Sequence, residues 1–324
     1  MISDRRSSPR IDVGRVVILG ASGFIGQHIR RGYEADGTDA LWLVGRGPER
    51  DSNPWHQVDL TDRLALARFM KVALPDVVVN CAGRTVGSAE ELRRANLDVV
   101  SSVVTVLERS GMATRLVHIG SSAEYGDGTP GVPMTESLAP HPVSAYAHSK
   151  LKATQQVAAA NMDTVVLRVF NPVGPGSGPT SLVGHAVALL RRALEIDAER
   201  IELGPLDAYR DFLHVADVAD AVISAGRSNS ISGTVMNIGS GRARQVRELV
   251  QLLAEIAGFS GQIAERPAGP TRSAEVRWQQ ADVNQARLKL GWSADRDIQS
   301  ALEEAWRADP ESQRGPILGS GTAL

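Results

Sequence analysis

Short apolar runs alternate with amphipathic stretches through the first half of the chain. The first run, residues 16–19, is followed by several glycines and then by a helix-like pattern from Phe24 to about Ala35. Further strand-like runs occur at 40–44, around Val58, and at 76–80, 115–119 and 164–169, and helix-like stretches lie between them at 62–73, 90–108 and 145–160. Strands that alternate with helices of roughly 10–20 residues are typical of a parallel sheet covered by helices on both faces. The pattern therefore predicts an α/β fold with a doubly wound parallel sheet.

The pattern changes after about residue 171. Residues 171–179 read Asn-Pro-Val-Gly-Pro-Gly-Ser-Gly-Pro, a composition typical of a loop. Shorter elements follow, with a helix near 182–194, a strand near 200–203, and helices near 217–226 and 245–257. We therefore expect a nucleotide-binding domain over residues 14–170, to which later segments return, and a smaller lobe over residues 171–310 that mainly binds the substrate. Residues 1–13 and 311–324 are expected to be flexible termini.

The composition of the 324 residues excludes several classes of protein. Lys and Arg number 35 against 37 Asp and Glu, a net charge of -2, which gives no global case for a nucleic-acid or anionic-membrane partner. The single cysteine, Cys81, excludes an internal disulfide and a cysteine zinc site, and the histidines are too scattered to suggest a metal site. No apolar run reaches the ~18 residues of a membrane span. We therefore expect a soluble, cytoplasmic protein without a bound metal.

The glycine-rich turn after the first strand is a candidate dinucleotide site. It reads Gly-Ala-Ser-Gly-Phe-Ile-Gly from residue 20 to residue 26, one residue longer than the common G-x-G-x-x-G pattern. Glycine lets the backbone approach a pyrophosphate, and the N–H groups at the start of a helix favour the anion. We expect cofactor contacts from this turn at Gly20, Ser22, Gly23, Phe24, Ile25 and Gly26.

The end of the second strand bears on the choice between NADP and NAD. An acidic side chain there suits the ribose 2′-hydroxyl of NAD, whereas an arginine suits the 2′-phosphate of NADP. Residues 43–46 read Leu-Val-Gly-Arg, with Arg46 and no acid, so the sequence favours NADP and leaves NAD as the alternative. The ends of the next two strands are expected to line the adenosine half of the cofactor through Asp59, Leu60, Cys81, Ala82 and Gly83.

A tyrosine and a lysine four residues apart form the strongest chemical signal. The chain has four tyrosines and four lysines, and Tyr146 and Lys150 lie on one face of a predicted helix. An ammonium near a phenol favours the phenolate, and such a tyrosine can protonate a developing alkoxide or deprotonate an alcohol in the reverse direction. Ser121, at the carboxyl end of the fifth strand, can hydrogen-bond the reacting carbonyl, and its alternative role is to cap the turn.

Five motifs occur in an order that resembles a known family. They are the glycine turn, Asn80-Cys81-Ala82-Gly83, Ser121-Ser122-Ala123-Glu124-Tyr125-Gly126, Tyr146-Ala147-His148-Ser149-Lys150 and Asn171-Pro172-Val173-Gly174-Pro175-Gly176. Over about residues 14–308, the chain resembles the extended short-chain dehydrogenase/reductases that act on nucleotide sugars, the NAD-dependent epimerase/dehydratase family. The resemblance implies a Rossmann-type sheet and a homodimer formed through the helices near 90–108 and 145–160.

The resemblance also assigns roles to individual residues. Ser121, Tyr146 and Lys150 would be the catalytic residues, and Lys150 would also hold the nicotinamide ribose. Further cofactor contacts would come from Asn96, Phe170 and Val173. The sugar nucleotide would be bound by Ser122, Ala123, Asn171, Arg210 and Arg272.

Departures from the family's motifs narrow the reaction. The 4,6-dehydratases have Asp-Glu where this chain has Ser122 and Ala123, and the 3,5-epimerase/reductases have a Cys and a His where it has Ala123 and Gly176. Hydride transfer at one carbon remains, and the segments 168–176 and 204–212 are similar to GDP-4-keto-6-deoxymannose reductases. We therefore expect NADPH-dependent reduction of the C4 keto group of a dTDP- or GDP-activated 6-deoxyhexose, with Tyr146 as the acid. The alternatives are an NAD-dependent C4 epimerase of UDP-sugars and a dinucleotide-sensing protein without catalysis.

Overall fold

The centre of the molecule is a parallel sheet. The structure is a computed structural model that describes residues 13–45, 55–229, 231–266 and 276–308. In those residues the strands are β1 (Arg15–Leu19), β2 (Ala40–Val44), β3 (Trp55–His56), β4 (Val77–Asn80), β5 (Arg115–Ser121), β6 (Thr164–Val169), β7 (Asn171–Val173), β8 (Arg200–Leu203), β9 (Tyr209–His214), β10 (Thr234–Ile238), β11 (Ala243–Gln245) and β12 (Gln262–Glu265). Seven strands pair in parallel in the order β10-β6-β5-β4-β1-β2-β3. The predicted parallel α/β sheet is confirmed.

Helices cover both faces of this sheet. In the described ranges they are α1 (Phe24–Ala35), α2 (Arg63–Ala73), α3 (Ala89–Arg93), α4 (Val99–Ser110), α5 (Ala145–Ala158), α6 (Leu182–Glu195), α7 (Val215–Arg227), α8 (Val246–Ala257), α9 (Asn284–Leu290) and α10 (Ile298–Arg307). A π-helical turn, Arg94–Asp98, joins α3 to α4, and a 3₁₀ turn, Ser122–Tyr125, follows β5. One face of the sheet packs against α1 and α7, and the other packs against α2, α4 and α5.

The first strand shows why the apolar runs become central strands. Val16 and Ile18 belong to the core on the α1 and α7 side, whereas Val17 and Leu19 belong to the core on the opposite side. All four are fully buried, because a parallel sheet with helices on both faces has no solvent-exposed side. Since all seven strands run in the same direction, their carboxyl ends meet along one edge, where open α/β sheets bind their ligands.

The third strand lies earlier in the chain than predicted. It is Trp55–His56, and the expected position around Val58 falls outside it. The chain turns away from the sheet at Asp59, whose Oδ1 accepts a hydrogen bond from the amide of Thr61 at 2.9 Å. The local turn therefore ends the strand before the apolar residue that suggested it.

The long helix predicted over 90–108 is interrupted. The structure has α3, the π-helical turn and α4 in its place. A π-turn inserts one extra residue per turn, and here Asn96 is directed inward and is only 1% exposed. The π-helical turn lets Asn96 make buried polar contacts, and the helical periodicity of the sequence does not reveal such contacts.

The chain beyond β6 forms a smaller lobe, but α7 packs on the main sheet and one later strand returns to it. The lobe contains the three-stranded sheet β11-β9-β7 and the pair β12-β8, and its core is built largely by α6, α8 and α10. The return to the main sheet is β10, which pairs with β6. None of the helices in the described part of the chain is long and apolar enough to cross a lipid bilayer.

Candidate active site

The turn between β1 and α1 leaves no room for a side chain at Gly20, nor does the first turn of α1 at Gly26. Gly20 has a φ of 83°, and a Cβ there would lie 2.6 Å from the amide nitrogen of Ala82. A Cβ on Gly26 would lie 2.3 Å from the carbonyl oxygen of Gly20. The N-cap of α1 is Gly23, which has no side chain to cover the first turn. The turn thus presents a bare helix amino terminus and fits the pyrophosphate of a dinucleotide.

A loop of the lobe lies against the start of α1. His28 Nε2 donates a hydrogen bond to the carbonyl oxygen of Pro175 at 2.9 Å, and the rings of Phe24 and His28 meet edge to face with 5.8 Å between centroids. Burial lowers the pKa of His28, which favours the neutral ring in this contact. Phe24 and Ile25 are half-buried, and Ser22 is exposed. The start of α1 therefore lies at the boundary between the sheet and the lobe.

The turn after β4 lies beside the glycine turn. The Cys81 thiol donates to the carbonyl oxygen of Leu19 at 3.0 Å, and burial raises its pKa to about 12, so the thiol stays protonated at neutral pH. The amide of Ala82 donates to Oδ1 of Asn80 at 3.2 Å. These contacts fix the backbone of the turn next to the place where a dinucleotide would lie.

The remaining residues predicted for the adenosine half are less constrained. Asp59 is exposed and closes the turn after β3. Leu60 is half-buried and packs against the core between the sheet and α2, α4 and α5. Arg46, on which the preference for NADP depends, lies outside the described residues.

Asn96 joins the turn after β4 to α5. Its Oδ1 accepts a hydrogen bond from the amide of Arg84 at 2.8 Å, and its Nδ2 donates to Ser149 Oγ at 2.9 Å. A Cβ on Gly83 would lie 2.7 Å from Asn96 Oδ1, so the turn needs glycine at this position. The structure places Asn96 behind the turn, where it holds the residue before Lys150.

The helix α5 carries both the tyrosine and the lysine and holds the lysine against β5. Ser144 caps this helix through a hydrogen bond from an amide of its first turn. Lys150 is 7% exposed, and its Nζ donates to the carbonyl oxygen of Ile119 at 2.5 Å. Tyr146, one turn earlier on the same face, is half-buried. The ammonium is thereby held against β5, two residues before Ser121.

The two serines after β5 have different partners. Ser121 is half-buried, and its Oγ accepts from the amide of Ala123 at 3.2 Å, so it caps the 3₁₀ turn and can still donate its own proton. Ser122 is buried, and its Oγ donates to Gln279 Oε1 at 3.3 Å. Gln279 in turn donates from Nε2 to the carbonyl oxygens of Ser122 and Gly126, each at 3.1 Å. Ala123, which follows the two serines in the turn, is half-buried.

A late segment, residues 276–282, joins this turn to β9. Two successive amides of the segment donate to Asp127 Oδ1 at 2.7 and 2.9 Å. The amide of Ala281 donates to Oδ2 of the buried Asp211 at 3.0 Å. Sequence reasoning missed this connection, because Gln279 lies 157 positions after its serine partner and no motif marks it.

Asn171 and Arg210 lie on neighbouring strands of the lobe. Asn171 Nδ2 donates to the carbonyl oxygen of Asp211 at 3.0 Å. Arg210 is 7% exposed and donates to the carbonyl oxygens of Tyr209 at 2.8 Å and Val276 at 2.5 Å. Burial lowers the pKa of Arg210 to about 10, so the guanidinium remains cationic at neutral pH. The lobe thus holds a poorly solvated positive charge, the kind that attracts a phosphate.

Two other predicted cofactor contacts, Phe170 and Val173, are core residues. Phe170 is buried in the core on the α1 side of the sheet, and Val173 is buried in the core of the lobe. Arg272 lies outside the described residues. Together, β5 and α5 bring Lys150 against the strand that ends in Ser121, and Tyr146 lies one turn earlier on α5.

A dinucleotide-type glycine turn combined with a Tyr/Lys pair and a serine at a strand end defines an enzyme of the short-chain dehydrogenase/reductase type. The chain belongs to the NAD dependent epimerase/dehydratase family, whose sequence profile matches residues 16–239. The predicted family and its dependence on NAD or NADP are confirmed.

The chain is similar to two curated relatives and to one solved structure. The dTDP-6-deoxy-L-talose 4-dehydrogenase (NAD(P)(+)) of Kitasatospora kifunensis is 35% identical over 311 residues, which cover 93% of this chain and 98% of the relative. The GDP-6-deoxy-D-mannose reductase of Pseudomonas aeruginosa is 30% identical over 301 residues, with coverages of 89% and 94%. The structure of RMD from Pseudomonas aeruginosa complexed with NADPH is 28% identical with a TM-score of 0.78, and the coverages are 90% and 97%.

Proposed function

We propose that the chain reduces the C4 keto group of a dTDP- or GDP-activated 6-deoxyhexose with NADPH. The observation that carries the proposal is the placement of Tyr146 and Lys150 on one face of α5, with Lys150 Nζ bound to the carbonyl oxygen of Ile119 two residues before Ser121. The names of the relatives support it, because a sugar-nucleotide 4-dehydrogenase and a deoxymannose reductase both change the oxidation state of a sugar carbon. A 4-dehydrogenase run in reverse is a 4-ketoreductase.

We assign the cofactor to residues at the carboxyl edge of the sheet. The bare start of α1 and the glycine turn would bind the pyrophosphate, and the turn after β4 would lie along the adenosine half. Arg46 would bind the 2′-phosphate, and Lys150 would bind the nicotinamide ribose. The bound cofactor supplies a hydride to the sugar carbon.

Proton transfer is the task of the chain's own side chains. Tyr146 would donate its phenolic proton to the C4 oxygen as that oxygen gains negative charge, which completes the conversion of ketone to alcohol. The Lys150 ammonium would stabilise the phenolate that remains. Ser121 would donate its hydroxyl proton in a hydrogen bond to the same oxygen and so orient the carbonyl.

The substrate would be bound by both the turn after β5 and the lobe. We assign the diphosphate to Arg210 and Asn171, with Arg272 as a further contact, because an arginine fork matches phosphate oxygens. Ser122 and Ala123 would border the sugar. In this assignment residues 14–170 mainly bind the cofactor and residues 171–310 mainly bind the substrate.

The test is NADPH oxidation with a panel of dTDP- and GDP-4-keto-6-deoxy sugars. Tyr146→Phe should lower kcat by about 10²–10⁴-fold while it leaves NADPH binding nearly unchanged, since only the acid is lost. Tyr33→Phe, far along α1, is the matched control and should retain full turnover. No stimulation of NADPH oxidation by any ketosugar would refute the proposal. Tightly bound NAD, with interconversion of UDP-sugars at C4 and no net cofactor turnover, would establish the epimerase alternative.

A further inference from the structure

Glu124, in the 3₁₀ turn after β5, is a fully buried carboxylate. Its Oε1 accepts hydrogen bonds from the amide of Ser121 at 2.8 Å and from Thr154 Oγ1 at 2.9 Å. Its Oε2 accepts a hydrogen bond from Arg168 Nε at 2.8 Å. A Cβ on Gly120 would lie 2.9 Å from Glu124 Oε1, so the glycine before Ser121 leaves space for the carboxylate. The carboxylate is therefore bound on both oxygens and directly to the backbone of Ser121.

Arg168 neutralises this carboxylate inside the protein. It is also buried, and its guanidinium lies over the ring of Tyr125 with 4.6 Å to the centroid. Replacing a buried ion pair by apolar side chains of similar volume is often neutral or stabilising, because both charges must be taken out of water. Stability alone is consequently a weak reason for the pair, and its contact with Ser121 points to a role in geometry.

The contacts of Glu124 link the elements that carry the three proposed catalytic residues. Thr154 lies four positions after Lys150 and eight after Tyr146, which places all three on one face of α5. One oxygen of Glu124 therefore binds both this helix face and the peptide of Ser121. The hydrogen bond from Lys150 to β5 is a second link between the same two elements.

We propose that Glu124, held by Arg168, is a positioning residue that sets the location of the Ser121 hydroxyl relative to Tyr146. The inference rests on the proposed function, because it concerns the geometry of that reaction. The carboxylate fixes the peptide nitrogen of Ser121, and rotation of that peptide would displace Oγ. A displacement of about 1 Å can cost about 10²-fold in rate when a catalytic group must meet a reacting atom.

Two variants separate geometry from packing. Glu124→Gln keeps the size of the side chain but has only one acceptor oxygen and no charge, so the Ser121 amide and Arg168 can no longer both be bound as they are by the carboxylate. The double variant Glu124→Leu with Arg168→Leu replaces the pair by apolar side chains. Both should lower kcat by about 10–100-fold and leave the Kd of NADPH within about 3-fold of the wild-type value. Asp217→Asn is the matched control, since Asp217 is a buried carboxylate bound by an arginine and is assigned no part in the site, and it should leave kcat unchanged.

The decisive comparison adds Ser121→Ala to each variant. If Glu124 acts through the serine hydroxyl, the combined variants should have a kcat within about 3-fold of Ser121→Ala alone, because the group to be positioned is already gone. Losses that multiply would overturn the proposal, and so would a kcat within about 3-fold of wild type in folded Glu124→Gln. Failure of both variants to fold would also overturn it, since the role would then be structural.

A measurement without substrate keeps this inference distinct from the proposed function. In the NADPH-bound protein, the amide of Ser121 should exchange with deuterium at least about 10-fold faster in Glu124→Gln than in wild type, and at the wild-type rate in Asp217→Asn. Unchanged exchange in Glu124→Gln would overturn the positioning role. Faster exchange in a protein that reduces no ketosugar would instead refute the proposed function and leave the role of Glu124 in place.

Discussion

Replacing Gly26 with alanine tests whether the glycine turn is shaped for a dinucleotide. The new Cβ would lie 2.3 Å from the carbonyl oxygen of Gly20 and 2.9 Å from the Cα of Ala21. Both atoms are backbone, so no side-chain rotation can relieve the contact, and α1 must move away from β1 by about 1 Å. The amino terminus of α1 moves with it, which takes its N–H groups away from the pyrophosphate position.

The size of the effect follows from this displacement. Forcing one extra carbon into a packed site typically costs about 1–3 kcal/mol, which for a chain of this size lowers Tm by a few degrees. Moving the helix start by about 1 Å should weaken NADPH binding by about 10-fold or more, since hydrogen bonds and the helix dipole both act at short range. NADPH fluorescence titration and thermal unfolding of the same samples measure the two effects.

Two other glycines provide graded controls for this experiment. A Cβ on Gly23 would lie 3.2 Å from the carbonyl oxygen of Gly20, so Gly23→Ala should have a smaller effect than Gly26→Ala. A Cβ on Gly204 would meet no described atom within 4 Å, so Gly204→Ala should bind NADPH and melt as the wild type does. If Gly26→Ala binds NADPH as tightly as Gly204→Ala, the steric reasoning about this turn is refuted.

Two further predictions concern buried polar groups. Burial, reinforced by the Lys150 ammonium, holds the pKa of His118 well below its ordinary 6.5. Just below pH 6.5, His118 is therefore protonated in the unfolded chain but stays neutral in the folded chain. The free energy of unfolding should therefore fall as the pH drops below 6.5, by about 1.4 kcal/mol at a pH of about 5.5. In urea unfolding, the difference in this free energy between about pH 7.5 and 5.5 should be smaller in His118→Gln than in the wild type. The Tyr33 hydroxyl is buried with no hydrogen-bond partner in the described structure, so Tyr33→Phe should raise the free energy of unfolding by up to about 1 kcal/mol. The Tyr125 hydroxyl donates to Asn237 Oδ1 at 2.8 Å, so Tyr125→Phe should lower that free energy by about 1–3 kcal/mol, and equal effects of the two substitutions in urea unfolding would contradict both expectations.

The sheet and its helices could be predicted from the sequence because each of these elements has a local pattern. The second strand occupies Ala40–Val44 and the sixth Thr164–Val169, as their apolar runs indicate. The helix with Tyr146 begins at Ala145, as expected, because Ser144 supplies a cap just before it. These elements depend on residues that are neighbours in the chain.

The parts that could not be predicted depend on contacts between distant positions. The π-helical turn serves the contact between Asn96 and Ser149, which are 53 positions apart. Glu124 stands inside a recognised motif, but its meaning depends on Arg168, 44 positions later. A buried carboxylate cannot be told from a solvated one until its partner is known. The sequence therefore predicts which residues carry the chemistry, and only the fold shows which contacts hold them.

The late segment also bears on how the site is made during synthesis. The turn after β5 is complete early, but the side chain that binds Ser122 comes from Gln279, 157 positions later. Chains fold from the amino terminus as they leave the ribosome, so the first strands can pair long before Gln279 is translated. A nascent or truncated chain that ends before residue 276 contains the partners of Glu124 but lacks the Gln279 contacts to Ser122 and Gly126. The full set of contacts that hold the turn after β5 is therefore complete only when nearly all of the described chain has been made.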